Sequence, residues 1–127
     1  MGDIVTFDTD KAAELGGPYS QAVIHDGLVY VSGQVAIDPV TNQIAAGTIE
    51  EETEVTMENM GIILAESGSS LAKVLQVKVY LADIRDYGRF NEVYRRYFPA
   101  SPPARSCIQA KIPFGLRVEI DAIGCIG

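Results

Sequence analysis

The stretch Pro103-Ala104-Arg105-Ser106-Cys107-Ile108 and, nine residues further on, Arg117-Val118-Glu119-Ile120-Asp121-Ala122 decide how this chain reads. Both pieces alternate as strands do, and side chains alternate faces along a strand, so Arg105 and Cys107 point the same way. Both also carry charge among apolar residues. Desolvating a charge costs free energy unless a partner is supplied. Arg105 and Glu119 therefore either pair with each other or line a small polar pocket. In the second case a guanidinium is suited to an anionic ligand, because it forks onto a carboxylate through two parallel hydrogen bonds.

Working outward, Asp26-Gly27 sits between Ala22-Val23-Ile24-His25 and Leu28-Val29-Tyr30-Val31. That dipeptide suits a type I′ hairpin turn, which needs positive φ at both central residues. Ile37 to Asn42 reads as a loop, with Pro39 behind Asp38 and Asn42 at its tip. From about Glu50 to Glu66 the pattern is helical: acidic residues crowd the first turns, and Met57, Met60 and Leu64 recur at i, i+3, i+7. Gly61, inside this helix, costs roughly 1 kcal/mol relative to alanine and points to a close helix–sheet approach. Val74 to Leu81 is a strand rich in valine and tyrosine. Asp83 can cap a second helix with Tyr87, Phe90, Tyr94 and Tyr97 on its apolar face, and this tyrosine stripe reads as core packing. Pro99, Pro102 and Pro103 stop it and lead into the Arg105 strand. Pro113 and Gly115 turn the chain into a last strand from Leu116 to about Cys125. The result is an α+β fold, a mixed sheet with two helices packed on one face. The other face is left apolar and uncovered, which marks an interface and predicts an oligomer.

Composition narrows the function. The 127 residues make one domain, 1–127, with 47% hydrophobic residues for a core. No apolar run reaches the ~18 residues of a membrane span, and the start lacks the basic and apolar regions of a signal peptide. The expectation is a soluble cytoplasmic protein, with an organelle left open. Cys107 and Cys125 make no disulfide framework, and with His25 as the single histidine no metal site is expected. His25 reads as a solvated turn residue. Seventeen acidic against ten basic residues, a net charge of −7, argues against nucleic-acid binding. Arg85, Arg89, Arg95 and Arg96 are scattered over the outer face of one helix.

The two opening motifs, together with Gly17-Pro18-Tyr19-Ser20-Gln21-Ala22, Val31-Ser32-Gly33-Gln34 and Asn91-Glu92-Val93-Tyr94, occur in an order that resembles the Rid/YjgF family, and within it the RidA branch of imine deaminases. The resemblance runs from about Gly17 to Ile123. It implies a chorismate-mutase-like fold of the bacillar type, forming a homotrimer with clefts between subunits. It further implies cofactor-free, hydrolytic deamination of 2-iminobutanoate and 2-iminopropanoate, the enamine/imine products of pyridoxal-phosphate dehydratases, to 2-keto acids and ammonia. Carried over by position, Arg105 grips the substrate carboxylate and Glu119 orients or activates water. Tyr19 closes over the substrate, Cys107 lines the wall without acting as a nucleophile, and Ser32, Gly33 and Asn91 complete the cleft. After Pro113 the family often has a charged residue, whereas this chain has Phe114-Gly115, a departure that bears on the substrate side chain. Two other readings stand: a regulatory protein that binds small 2-keto acids without turnover, and a ribonuclease or translation inhibitor.

Overall fold

A computed structural model describes residues 2–127. Six strands form one mixed sheet: β1 (Val5–Phe7), β2 (Ala22–His25), β3 (Leu28–Gln34), β4 (Val74–Leu81), β5 (Ala104–Gln109) and β6 (Val118–Cys125). Their spatial order is β1-β2-β3-β6-β4-β5, antiparallel throughout except for the parallel pair β4–β5. Two helices, α1 (Ile49–Glu66) and α2 (Tyr87–Tyr97), complete the α+β architecture. Parallel neighbours need a long crossover, and α2 supplies it between β4 and β5.

Local chemistry accounts for the elements. Asp26 and Gly27 have φ of 48° and 78°, as the type I′ turn between β2 and β3 requires. Thr48 caps α1 in a reciprocal capping box with Glu51, and Glu50, Glu51 and Glu52 fill its first turn. Met57, Met60 and Leu64 are all buried and meet Val77, Val79, Leu81, Val118 and Ile120 from the sheet. A smaller cluster of Ala13, Val35, Ala36, Ile37 and Leu116 lies beside this core. Buried Asn59 holds it in place, accepting from the Ala13 amide at 2.9 Å and donating to the Ile37 carbonyl at 2.7 Å.

Three expectations change. A Cβ on Gly61 would meet only Leu71, at an ordinary 3.6 Å, so the close helix–sheet approach is not there. It falls instead at Gly124 of β6, where a Cβ would stand 3.1 Å from Leu64 and 2.9 Å from the Ser69 hydroxyl. Asp83 caps a 3₁₀ turn (Ile84–Asp86) that leads into α2 rather than α2 itself, accepting from the Arg85 amide. The uncovered sheet face is mixed rather than apolar. By register, Tyr80 of β4, Glu119, Asp121 and Ile123 of β6, and Ile108 of β5 share it with Lys78. No helix among the described residues is long and apolar enough to cross a membrane.

Candidate active site

Arg105 enters from β5, at one edge of the sheet. Its register partner is Val77, which is buried against the helices, so Arg105 and Cys107 lie on the helix side as the alternation predicts. There α2 surrounds the guanidinium. Cζ lies 4.8 Å from the ring centre of Tyr94, 5.5 Å from that of Tyr87 and 5.8 Å from that of Phe90, a cation–π arrangement on three sides. Nη1 donates to Asn91 Oδ1 at 2.8 Å and Nη2 to the Tyr87 hydroxyl at 3.0 Å. A guanidinium has five N–H groups, so three remain for a ligand. The adjoining cavity, about 460 Å³, is walled by Asn91, Tyr94, Arg95, Phe98, Pro102 and Arg105.

The expected tyrosine stripe is thus only partly core. Phe90 and Tyr94 are buried, but Tyr87 is 44% exposed and faces the arginine. Burial pushes the Tyr94 hydroxyl up to about 12, with Arg105 opposing that shift. The i, i+4 spacing of Tyr87 and Asn91, eight residues before the first of three prolines and an arginine, was the signal available for this grouping. Cys107 packs against the core, and burial raises its thiol above the usual range despite the nearby Arg105. A neutral thiol is a poor nucleophile.

Glu119 lies elsewhere. Its register partner on β4 is Tyr80, three residues from Val77, so Glu119 points to the face opposite Arg105. The two do not pair, and they do not share a cavity within one chain. Glu119 instead joins Tyr19, Ser32 and Gly33 around a cavity of about 350 Å³, with Leu15, Val35 and Pro113 as apolar walls.

A β-bulge shapes this second group. Between the pairs Val31↔Ala122 and Gln34↔Ile120, Ser32 and Gly33 stand opposite Asp121 alone. The extra residue brings Gly33 under the Glu119 carboxylate so closely that a Cβ there would collide with Oε2. The Ser32 hydroxyl donates to the Ser20 carbonyl at 2.6 Å, and the Ser32 amide to Gln21 at 2.9 Å, which ties the Tyr19 loop to the bulge. Buried Gln21 reinforces that loop by accepting from Thr9 and donating to Ala13.

Burial raises the Glu119 carboxyl above the usual carboxylate range, and the negative Asp121 adds to the shift. Burial likewise raises the Tyr19 phenol, with Glu119 contributing. Asp121 accepts from the Tyr80 hydroxyl at 3.0 Å. The arrangement therefore offers a guanidinium caged by α2 on one face. On the other it offers a carboxyl group that burial, with Asp121, holds above the usual carboxylate range. The nine residues proposed from sequence or found beside them fall into these two groups: Arg105, Asn91, Cys107, Tyr87 and Tyr94 in one, and Glu119, Gly33, Ser32 and Tyr19 in the other.

A family model described as Endoribonuclease L-PSP matches residues 9–126. The human 2-iminobutanoate/2-iminopropanoate deaminase is 42% identical over 120 residues, spanning 94% of this chain and 88% of that one. A putative endoribonuclease of known structure from Thermotoga maritima is 43% identical, with a TM-score of 0.92 over 97% of this chain and 98% of its own. The E. coli TdcF structure with bound serine is 30% identical, with a TM-score of 0.90 over 97% of this chain and 99% of its own.

Proposed function

The chain belongs to the Rid/YjgF family, in its RidA branch, and on that premise we propose that it is a deaminase that hydrolyses reactive 2-imino acids, 2-iminobutanoate and 2-iminopropanoate, to 2-keto acids and ammonia. The observation that carries this reading is the pair of half-sites: a carboxylate anchor prepared by α2, and a protonatable carboxylate seated on a bulge glycine. In one chain they face opposite ways, so they act together when a second copy presents its Glu119 face to the Arg105 edge of the first. A homotrimer of chorismate-mutase-like chains, each a single 1–127 domain, closes three such clefts. Burial of Tyr80, Ile108 and Ile123 on the uncovered face would help hold it together.

In the proposed chemistry Arg105 holds the α-carboxylate and Asn91 keeps the guanidinium in place. Cys107 forms part of the wall, while Tyr19, Ser32 and Gly33 frame the reacting carbon. Glu119 takes a proton from water as the oxygen bonds to C2 of the iminium. The same proton passes to nitrogen. Glu119 then takes the hydroxyl proton of the carbinolamine as its C–N bond breaks, and that proton leaves with the ammonia as ammonium, a 2-keto acid remaining. The substrate is already electrophilic, so general acid–base help of about 10²–10⁴-fold is a sufficient contribution from one carboxyl group. The human relative carries the deaminase name, and the E. coli relative holds serine, an amino acid whose carboxylate suits such an anchor. A cytoplasmic setting belongs to the same reading.

The nuclease implied by the family description finds little footing here. Net charge is −7, and Arg85 and Arg89 are already engaged by Asp83 and Glu50. The deciding experiment is Glu119→Gln, which keeps size and hydrogen bonding but takes no proton. It should bind 2-oxobutanoate like wild type by calorimetry while ammonia release from freshly generated 2-iminobutanoate falls ~10²–10⁴-fold. Wild-type turnover in that variant would make Glu119 structural. Tight keto-acid binding without turnover by wild type would favour the binding-protein reading.

A further inference from the structure

The geometry points to Tyr87 as a substrate-binding residue, its hydroxyl donating to the same carboxylate that Arg105 holds; this rests on reading Arg105 as a carboxylate anchor. Tyr87 begins α2 and stands one turn before Asn91. The two side chains take one N–H from each terminal nitrogen of the guanidinium, at 3.0 and 2.8 Å. Their roles then diverge. Asn91 accepts through its carbonyl oxygen, and the phenol oxygen of Tyr87 accepts while carrying a proton of its own to give. A phenol that accepts from a cation directs that proton away from it. A carboxylate forked onto the remaining N–H groups would lie beside Nη2, within reach of the donor.

Exposure separates Tyr87 from its aromatic neighbours. Phe90 is fully buried and Tyr94 is 6% exposed, so their rings serve the core as well as the cation. Tyr87 is 44% exposed, and its ring centre is still 5.5 Å from Cζ of Arg105. Core packing would account for a phenylalanine here equally well. The hydroxyl is the part that packing leaves unexplained, and its described partner is the anchor itself. The expected ligand is thus the α-carboxylate of a 2-imino or 2-keto acid, met by Arg105 and a neutral donor together.

Tyr87→Phe keeps the ring over the guanidinium and removes only the hydroxyl. Its Kd for 2-oxobutanoate, measured by calorimetry, should rise roughly tenfold, which corresponds to about 1.4 kcal/mol. KM for 2-iminobutanoate should rise by a similar factor with kcat within about twofold, since a contact made equally in the ground and transition states raises KM alone. Methyl 2-oxobutanoate, which lacks the carboxylate, should not distinguish variant from wild type. Tyr87→Leu removes the ring too and should weaken binding further, with thermal melts confirming that both variants are folded. Unchanged 2-oxobutanoate binding by Tyr87→Phe overturns the assignment, as does a fall in kcat at constant KM. Binding is read without turnover, so a wild type that binds 2-oxobutanoate but releases no ammonia refutes the deaminase reading while the binding comparison still decides the role of Tyr87.

Discussion

Replacing Gly33 by alanine isolates the placement of Glu119 from its chemistry. A Cβ at this position would collide with Oε2 of Glu119 and stand 2.9 Å from Cδ and 3.2 Å from Cγ. Carbon atoms normally rest about 3.5–4.0 Å apart, so the carboxyl group has to move on the order of 1 Å. Gly33 is not among the residues with positive φ, and alanine therefore introduces no backbone strain. The displaced atoms are the end of a flexible side chain beside an open cavity, which keeps the stability cost near the low end of overpacking, about 1 kcal/mol. In thermal denaturation that is a shift of about 4 °C. Activity should respond far more. Misplacing a reacting group by ~1 Å can cost ~10²-fold, equivalent to about 2.7 kcal/mol of transition-state stabilisation. Ammonia release measures that loss, and calorimetry with 2-oxobutanoate should show the Arg105 anchor unaffected. The pH profile supplies an independent sign. Burial first, then Asp121, raises the Glu119 pKa, and a base works deprotonated, so activity should climb as pH rises through that elevated value. Once swung toward solvent the carboxyl loses much of its desolvation, and the acid limb of the Gly33→Ala profile should move to lower pH. Activity within twofold of wild type with an unmoved acid limb would refute the argument that the bulge seats a working carboxylate.

Arg105→Lys keeps the charge but loses the fork and the stacked plane between Tyr87 and Tyr94. A fall in kcat/KM corresponding to on the order of 2–5 kcal/mol is expected from steady-state kinetics, with the melting temperature nearly unchanged. Phe114 has φ 64° in the turn after Pro113, a left-handed conformation that costs a non-glycine residue roughly 1–2 kcal/mol, so Phe114→Gly should recover part of it and raise the midpoint of denaturation. Light scattering at micromolar concentration should report three copies; a monomer would leave the two half-sites on opposite faces and remove the basis for a joint cleft.

Much of the architecture was legible in the sequence because it rests on local chemistry. Asp26-Gly27 can turn only a tight hairpin, the acidic first turn and methionine spacing make α1, and the prolines end α2 where the chain must become extended. The motifs around Arg105 and Glu119 likewise singled out the two charged residues on which the proposed cleft is built. What they could not specify is which face each residue takes, because that depends on register between strands far apart in sequence. Arg105 and Glu119 sit on strands separated by β4, and a one-residue offset in register decides whether two side chains meet or turn away from each other. The bulge at Ser32-Gly33 is similarly invisible, being a mismatch between β3 and a β6 some ninety residues distant. Helical periodicity placed Tyr87 with Phe90 and Tyr94, yet periodicity reports only the angle around a helix axis. Only the packing of α2 beside the sheet edge decides that the stripe's first residue emerges from the core and meets a cation.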